Sequence, residues 1–379
     1  MTWGDDQLAL QQSTREFVRR EVEPHLQQWE DAGEIPLALH LSAARAGLLG
    51  VSFPEEVGGQ GGSLLDSVAL QEAFFEAGGS SGLAAGLFTG GIALPHMAAH
   101  GSAEQIESFV RPTLAGQKIG SLAVTEPGGG SDVAGITTTA VRDGDSYVVN
   151  GAKTFITSGV RADFVTTAVR TGETGHAGIS LLVVERGTPG FTVDRGLAKM
   201  GWHCSDTAEL SFVDARVPAT NLVGEENSGF YLIAEQFVVE RIALAVHAYG
   251  IAARSLALTA AYCRERRTFG KPLIARQVVQ HKLVEMHRQI EAARVYTRHV
   301  AARHVAGEGV VAEACLAKQT AVEACDHVVD EAVQLHGGTG YMHGTEVERH
   351  YRDSRILGIG GGATEVLTDL SARLLGYTP

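Results

Sequence analysis

The sequence predicts a multi-domain α+β protein. A helical N-terminal domain covers residues 1–120, a central antiparallel β-domain covers 121–222, and a C-terminal bundle of helices covers 223–379. Three observations carry this prediction. Apolar residues recur at the three-and-four spacing of helices in the first and last regions and alternate at the period of strands in the middle one. Turn signals separate the alternating segments. No strand–helix–strand alternation occurs, so a doubly wound parallel sheet is excluded.

The chain of 379 residues is long enough for two or three packed units. Apolar residues make up 44% and charged residues 20%, as in an ordinary soluble protein. Asp and Glu outnumber Lys and Arg by 44 to 31, a net charge of −13. That disfavours a nucleic-acid backbone as the main partner, but it leaves room for an acidic small molecule held by a local arginine cluster. Cys204, Cys263, Cys315 and Cys325 show neither CxxC pairing nor zinc spacing. They read as reduced core cysteines of a cytosolic protein. The start, MTWGDDQLALQQ, has no charged or apolar region of a signal peptide, and no apolar run reaches the ~20 residues needed to span a bilayer. The expected location is the cytoplasm.

In the first region, DDQLALQQSTREFVRREVEPHLQQWE places Leu8, Phe17 and Val18 on one helical face and ends near Pro24. SLLDSVALQEAFFEA and SAEQIESFVRPTLAG repeat the pattern, the latter opened by a Ser102/Gln105 capping box. Between them lies GGSSGLAAGLFTGGIALPHMAAHG, whose small residues permit close approach of helices or of a ligand. In the second region, SYVVNGAKTFITS alternates around Asn150-Gly151, a hairpin-turn signal. Further strands are expected in ADFVTTAVRT, GISLLVVERGTPGFTVD and TAELSFVDARVPATNLVG. In the third region, helices are expected over 228–264, 273–306 and 310–336, then a glycine-rich loop and a last helix after Thr364. Long helices with short loops suggest an antiparallel bundle.

Three apparent motifs mislead. GIGGGA (358–363) has the GxGxxA spacing, but helix precedes it and the chain ends before the acidic residue of a dinucleotide fold. GGSSG (78–82) has the GxSxG spacing, but the helical LQEAFFEA precedes it, which favours a helix end over a nucleophile elbow. His336, His343 and His350 straddle a glycine loop without companion carboxylates, so no metal site is expected.

Other stretches carry chemistry. LAVTEPGGGSDVAGITTTA (122–140) has three successive glycines that free backbone N–H groups, with the hydroxyls of Thr125 and Ser131 beside them. It suits a polar planar or anionic ligand, or it is a plain glycine turn. Phe155 and Thr157 stand two apart on one strand and share a face. Arg266, Arg267 and Lys271 bind a pyrophosphate or form a solvated basic loop. QLHGGTGYMHG ends a helix with a Gly-Gly stop. Glu240 is the odd residue. It continues the apolar stripe of Phe230, Ile233, Phe237 and Leu244, where a carboxylate costs free energy unless paired or neutralised. The helix alone is compatible with a buried salt bridge or with catalysis.

Taken in order, AVTEPGGGSD, NGAKTFITSG, RRTFGKPL, QLHGGTGYM and RHYRDSRI resemble the acyl-CoA dehydrogenase family over nearly the entire chain. The resemblance implies a C-terminal four-helix bundle, bound FAD and α,β-dehydrogenation of an acyl-thioester to the trans-2-enoyl product. Electrons would pass to an electron-transfer flavoprotein. Matching positions put FAD contacts at Leu122, Val124, Thr125, Gly130, Ser131, Phe155 and Thr157. Arg266, Thr268, Phe269 and Gln277 would reach FAD across a subunit boundary, and Gln334, Gly337 and Gly338 would hold its adenine half. The family is usually tetrameric, so a homotetramer, or a homodimer, is expected.

The resemblance also exposes a departure. Many members place a glutamate base in an I-Y-E-G-T loop after the R-D pair; here the loop reads IGGGAT (359–364), with Gly361 at the glutamate's place. Long-chain and isovaleryl members carry the base in an E-R pair on the first long C-terminal helix, which Glu240-Arg241 matches. Glu240 is therefore expected to take the α-proton while the β-hydride goes to flavin N5. The Gly361 N–H would meet the enolate oxygen, and Ser131, Phe237, Arg241 and Gly362 would line the substrate. Ala363 replaces a cofactor-bonding threonine and puts one FAD hydrogen bond in doubt; Glu365, otherwise a flavin contact, is the rival base. Branched or medium-to-long acyl chains are expected, from the small Ala84, Ala85 and Gly86 with Phe88 as a possible plug. Two alternatives stay open: the same chemistry on an acyl-carrier-protein thioester, or a non-catalytic flavoprotein of this fold.

Overall fold

The structure, a computed structural model, describes residues 2–378. Helical N- and C-terminal regions flank a central sheet. The principal helices are α1 (Asp5–Phe17), α2 (Leu64–Glu76), α3 (Ser81–Leu87), α4 (Gly229–Glu265), α5 (Gln277–Val305), α6 (Val311–His336), α7 (Glu346–Ser354) and α8 (Thr364–Leu374).

Local sequence sets several of their ends. Ser63 caps α2, accepting the Leu65 N–H, while Asp66 reaches back to the Ser63 N–H at 2.7 Å. The Ser102/Gln105 box forms as expected. Ser80 of GGSSG is the N-cap of α3 and accepts the Leu83 N–H. α6 stops at His336, where Gly337 follows at φ 60° and ψ −138°, a backbone conformation that favours glycine. One expectation for α1 fails: Leu8 is 51% exposed, and the buried face runs through Gln11, Thr14 and Phe17 into Val18 and Val22. At 3.6 residues per turn Leu8 lies on the side of α1 opposite Phe17, so the regular helix itself turns it to solvent; a π-helical turn then follows over Val18–Val22.

The sheet has strands β1 (Gly120–Ala123), β2 (Thr139–Asp143), β3 (Ser146–Thr157), β4 (Phe164–Arg170), β5 (Ile179–Glu185), β6 (Phe191–Gly196), β7 (Thr207–Pro218) and β8 (Leu222–Val223). They run in the order β6-β7-β3-β2-β4-β5-β8, with β1 alongside β4. Most pairs are antiparallel, but β1 joins β4 in parallel, and so does the single β2–β4 contact. β1 enters from the helical region and runs straight into the glycine turn, so it has no hairpin partner of its own and pairs through a crossover. The hairpin expected at Asn150-Gly151 is also corrected. β3 runs through it, and the β2–β3 reversal falls at Gly144. Asn150-Gly151 forms a bulge against β7, where the Asn150 amide bonds Asp214. A Cβ at Gly151 would lie 2.5 Å from Thr138 Oγ1.

One core joins α1 and α2 to α4, α5 and α6; a second lies between the sheet, the N-terminal segments around Leu94, Met97 and Phe109, and the start of α4; a third is made by residues of the sheet. Glu72 of α2 ties the first core to the bundle, accepting the Tyr249 hydroxyl at 2.7 Å and the Arg298 guanidinium at 2.8 and 2.5 Å. All four cysteines are free and buried. α4 is the one helix among the described residues long and apolar enough to cross a membrane, and it is the central helix of the bundle, most of its apolar stretch packed inside the protein.

Candidate active site

The glycine turn after β1 is braced from beneath. Lys153 of β3 is fully buried and donates to Glu126 at 2.8 Å and to the Val124 carbonyl at 3.0 Å. Glu126 also accepts the Thr137 and Thr138 N–H groups, at 2.7 and 2.9 Å. Burial lowers the Lys153 pKa to about 8 against the pull of its partner. Burial works to raise Glu126, but Lys153 and the threonine donors outweigh it and hold the carboxyl at about 2. The pair is thus ionic at neutral pH and anchors both ends of the turn. Above it, Gly130 and Ser131 are exposed, and their N–H groups bond nothing among the described residues. A Cβ at Gly130 would press on Thr125 at 3.2 Å.

Leu122, Val124, Thr125, Gly130, Ser131, Phe155 and Thr157 come together here. The Thr154 N–H bonds the Thr125 carbonyl at 3.0 Å, and the Ser121 hydroxyl bonds the Thr157 carbonyl at 2.5 Å. Ile156 is buried between the exposed Phe155 and the half-buried Thr157. Phe155 has φ 60° at a bulge in β3 and its ring is 68% exposed. A bulky residue in that conformation costs on the order of 1–3 kcal/mol and persists only where the surroundings hold it.

A second group gathers at the far end of α4. Arg266, Phe269, Gln277, Gln334, Gly337 and Gly338 are all exposed, with Thr268 half-buried among them. Short strands β9 (Arg267–Thr268) and β10 (Lys271–Pro272) make a hairpin that carries Phe269, 97% exposed, at its tip. Tyr262 stacks on His336 and donates to its carbonyl, joining the hairpin's base to the end of α6. Arg266 is the C-cap of α4, whose last residue, Glu265, follows Glu240 by 25 residues of one helix, roughly 40 Å at 1.5 Å per residue.

Glu240 faces the loop before α8. An ideal Cβ on Gly361 would lie 3.3 Å from Glu240 Oε1 and 2.2 Å from Leu244 Cδ1. Leu244 therefore occupies the space into which a side chain at 361 would project, and the Glu240 carboxylate borders it. No hydrogen bond or ion pair ties it to another described residue. It keeps some accessible surface, yet the protein around it excludes most water. Burial pushes its carboxyl above the ordinary glutamate range, moderated through space by Lys318 and Arg241. Gly361 (φ 64°) and Gly362 (φ 99°) both adopt the left-handed region. Lys318, 1% exposed on α6, donates to the Gly360 carbonyl at 2.5 Å and the Gly362 carbonyl at 2.7 Å.

The remaining predicted residues fall around this group. Phe237 packs against the same core as Val124, which brings the glycine turn and the first third of α4 together. Arg241 is buried with its guanidinium 5.4 Å over the Phe237 ring and its Nε without a hydrogen-bond partner among the described residues. Ala363 is the N-cap of α8 and has no side chain to cap it. Glu365 is exposed on the first turn of α8. The small residues of α3 have a packing cause: Cβ atoms at Gly82 and Gly86 would lie 2.8 Å from the Trp202 backbone and 2.6 Å from Ile35. Phe88 stands edge-on to Phe74. Asp353 accepts the Trp202 N–H at 2.6 Å and fastens α7 to the β-region. His336 bonds the Ala332 carbonyl within its own helix and His350 bonds Ser255, so neither is turned toward the other. Lys318, Lys153 and Glu126 were not singled out from the sequence.

The chain matches three family models end to end: the acyl-CoA dehydrogenase N-terminal domain over residues 4–117, the middle domain over 121–215 and the C-terminal domain over 227–376. The chain belongs to the acyl-CoA dehydrogenase family. It is 39% identical to the mitochondrial long-chain specific acyl-CoA dehydrogenase of Mus musculus over 368 residues, 96% of this chain and 85% of that one. It is 34% identical to the mitochondrial isobutyryl-CoA dehydrogenase of Bos taurus over 376 residues, 99% of this chain and 90% of that one. A solved structure of a probable acyl-CoA dehydrogenase from Mycobacterium abscessus shares 62% identity, with a TM-score of 0.97 over 98% of this chain and 99% of that one. As an acyl-CoA dehydrogenase the protein is an oxidoreductase, and Glu240 Oε1 lies 3.3 Å from where a Cβ on Gly361 would stand.

Proposed function

We propose that the protein is an FAD-dependent dehydrogenase of acyl-CoA thioesters with Glu240 as its base. The observation that carries this is the unpartnered Glu240 carboxylate lying 3.3 Å from the Cβ position of Gly361. A structural salt bridge would have claimed that carboxylate; none does among the described residues.

The donor set around the glycine turn fits FAD. Unpartnered N–H groups at Gly130 and Ser131, the hydroxyls of Thr125 and Thr157 and the exposed Phe155 ring suit a planar heterocycle with a polar edge. FAD, when bound, supplies the acceptor for the β-hydride. Arg266, Thr268, Phe269 and Gln277, with Gln334, Gly337 and Gly338, lie too far along α4 to serve the same dinucleotide within one chain. Their exposure supports a second subunit that completes the site, hence a homodimer or homotetramer.

Glu240 takes the α-proton, and the C–H electron pair moves toward the thioester oxygen. Its raised pKa makes it a stronger base, provided the working pH keeps it ionised. The Gly361 N–H, which bonds nothing among the described residues, meets the developing charge. Ser131, Phe237, Arg241 and Gly362 complete the substrate's surroundings. Glu365, exposed and away from Gly361's side-chain space, is the weaker candidate for the base. The physiological acceptor is proposed to be an electron-transfer flavoprotein, and the free, buried cysteines support a reducing compartment such as the cytoplasm.

Branched or medium-to-long acyl chains remain the proposed substrates. The base placement and the similarity to long-chain and isobutyryl dehydrogenases support them; α3 does not, because its glycines are used for packing. Anaerobic mixing of the FAD-loaded protein with a panel of acyl-CoAs tests the proposal by bleaching of the flavin absorbance. No bleaching by any acyl-CoA contradicts it, and a sharp preference for butyryl-CoA contradicts the substrate range.

A further inference from the structure

We propose that Lys318 is a positioning residue that sets the direction of the Gly361 N–H. The inference rests on the reading of Glu240 and Gly361 given above. Lys318 belongs to the buried stripe of α6 that runs through Ala314, Ala317, Ala321 and Cys325. A lysine there costs free energy unless its ammonium is fully bonded. Its bonds go to two carbonyls that bracket Gly361, at Gly360 and Gly362, and not to a carboxylate.

The geometry follows from the peptide bond. The Gly360 C=O and the Gly361 N–H belong to one planar trans unit and point in opposite directions. Fixing the carbonyl on Lys318 aims the N–H away from α6. That N–H has no partner among the described residues. The loop needs an outside clamp, since glycines at 360, 361 and 362 leave it the most conformational freedom a chain can have. The next residue of α6 adds to the hold, as Gln319 donates to the Thr364 carbonyl at 2.9 Å and to the Thr368 hydroxyl at 2.8 Å. A cation on the carbonyl side also polarises the peptide and strengthens its N–H as a donor. Glu240, Arg241 and Cys315 are the titratable or charged groups that act on Lys318 from α4 and from its own helix.

The test measures exchange of the substrate's α-hydrogen with deuterated solvent by the FAD-loaded enzyme, together with amide hydrogen exchange of residues 358–364 without substrate. Lys318→Met is expected to slow α-exchange by about 10²–10³-fold, the usual cost of one misplaced oxyanion donor. Acyl-CoA Kd should stay unchanged, and the loop amides should exchange faster. Lys318→Arg, which keeps charge and donors, should recover most of the rate. The loss should persist on the high-pH plateau. A shift of the acid limb alone, with the plateau retained, would mean that Lys318 acts only on Glu240's charge and would overturn the proposal, as would unchanged α-exchange in Lys318→Met. Should Lys318→Met fail to fold, a Lys318→Arg variant whose loop amides and α-exchange do not move together would overturn it. Glu240→Gln run alongside separates the two readings: if it too retains α-exchange, the base assignment has failed; if it loses exchange while Lys318→Met does not, only the Lys318 role has.

Discussion

Moving the base is a sharper perturbation than deleting it. In a Glu240→Gln background, Gly361→Glu returns a carboxylate to the same cavity from the opposite wall. The structure gives the cost. A non-glycine residue at φ 64° loses about 1–2 kcal/mol to the left-handed conformation. The new Cβ would sit 2.2 Å from Leu244 Cδ1, an overpacking worth about 1–3 kcal/mol unless Leu244 moves. The sum, about 2–5 kcal/mol, is a large share of a typical folding free energy. The double variant should therefore melt lower and recover little turnover. Adding Leu244→Ala should remove the steric part, leaving only the backbone cost, and let activity rise. The assay is a cycle of flavin reduction rates and thermal midpoints, at fixed protein and FAD concentration, with and without Leu244→Ala. Full recovery of turnover by Gly361→Glu with Leu244 intact, and no loss of stability, would refute the reasoning.

Two other outcomes follow from the electrostatics. Glu240 must be ionised to accept a proton and burial raises its pKa, so the acid limb of flavin reduction should lie above the ordinary glutamate range. Stability runs the other way: the folded protein holds that proton more tightly than the unfolded chain, so its contribution is present at low pH and lost as pH rises through the folded pKa. Glu240→Gln should accordingly raise the thermal midpoint at neutral pH and lose that advantage in acid. Lys153→Met should strand Glu126 beneath the glycine turn, at a cost of about 3–5 kcal/mol. It should release FAD on gel filtration more readily than wild type, while a control in the exposed ion pair, Arg216→Ala, should change stability by no more than ~1 kcal/mol.

Much of this architecture was legible in the chain because periodicity is a local signal. The long helices around Glu240 and the strands of the middle region come from patterns a few residues wide. Pairing is not local, so neither the parallel β1–β4 contact nor the course of β3 through Asn150-Gly151 shows in a pattern a few residues wide. The side-chain partner of Asn150, Asp214, lies 64 residues away. The glycines of α3 looked like room for a ligand because their true neighbours, Trp202 and Ile35, belong to distant segments. Glu240 could be found from one helix alone, as a charge on an apolar stripe. Lys318 carries the same signal on α6, and a uniform application of that rule would have found it. What the rule cannot supply is the partner: that Lys318 reaches backbone carbonyls at Gly360 and Gly362 is a fact of the packed bundle.

The central claim is that one carboxylate, on α4, starts the reaction. The rate of flavin reduction by a saturating acyl-CoA in Glu240→Gln measures it directly. The account predicts a yellow, folded protein that binds the thioester and reduces its flavin about 10²–10⁴-fold more slowly. Reduction at the wild-type rate in that variant would contradict it.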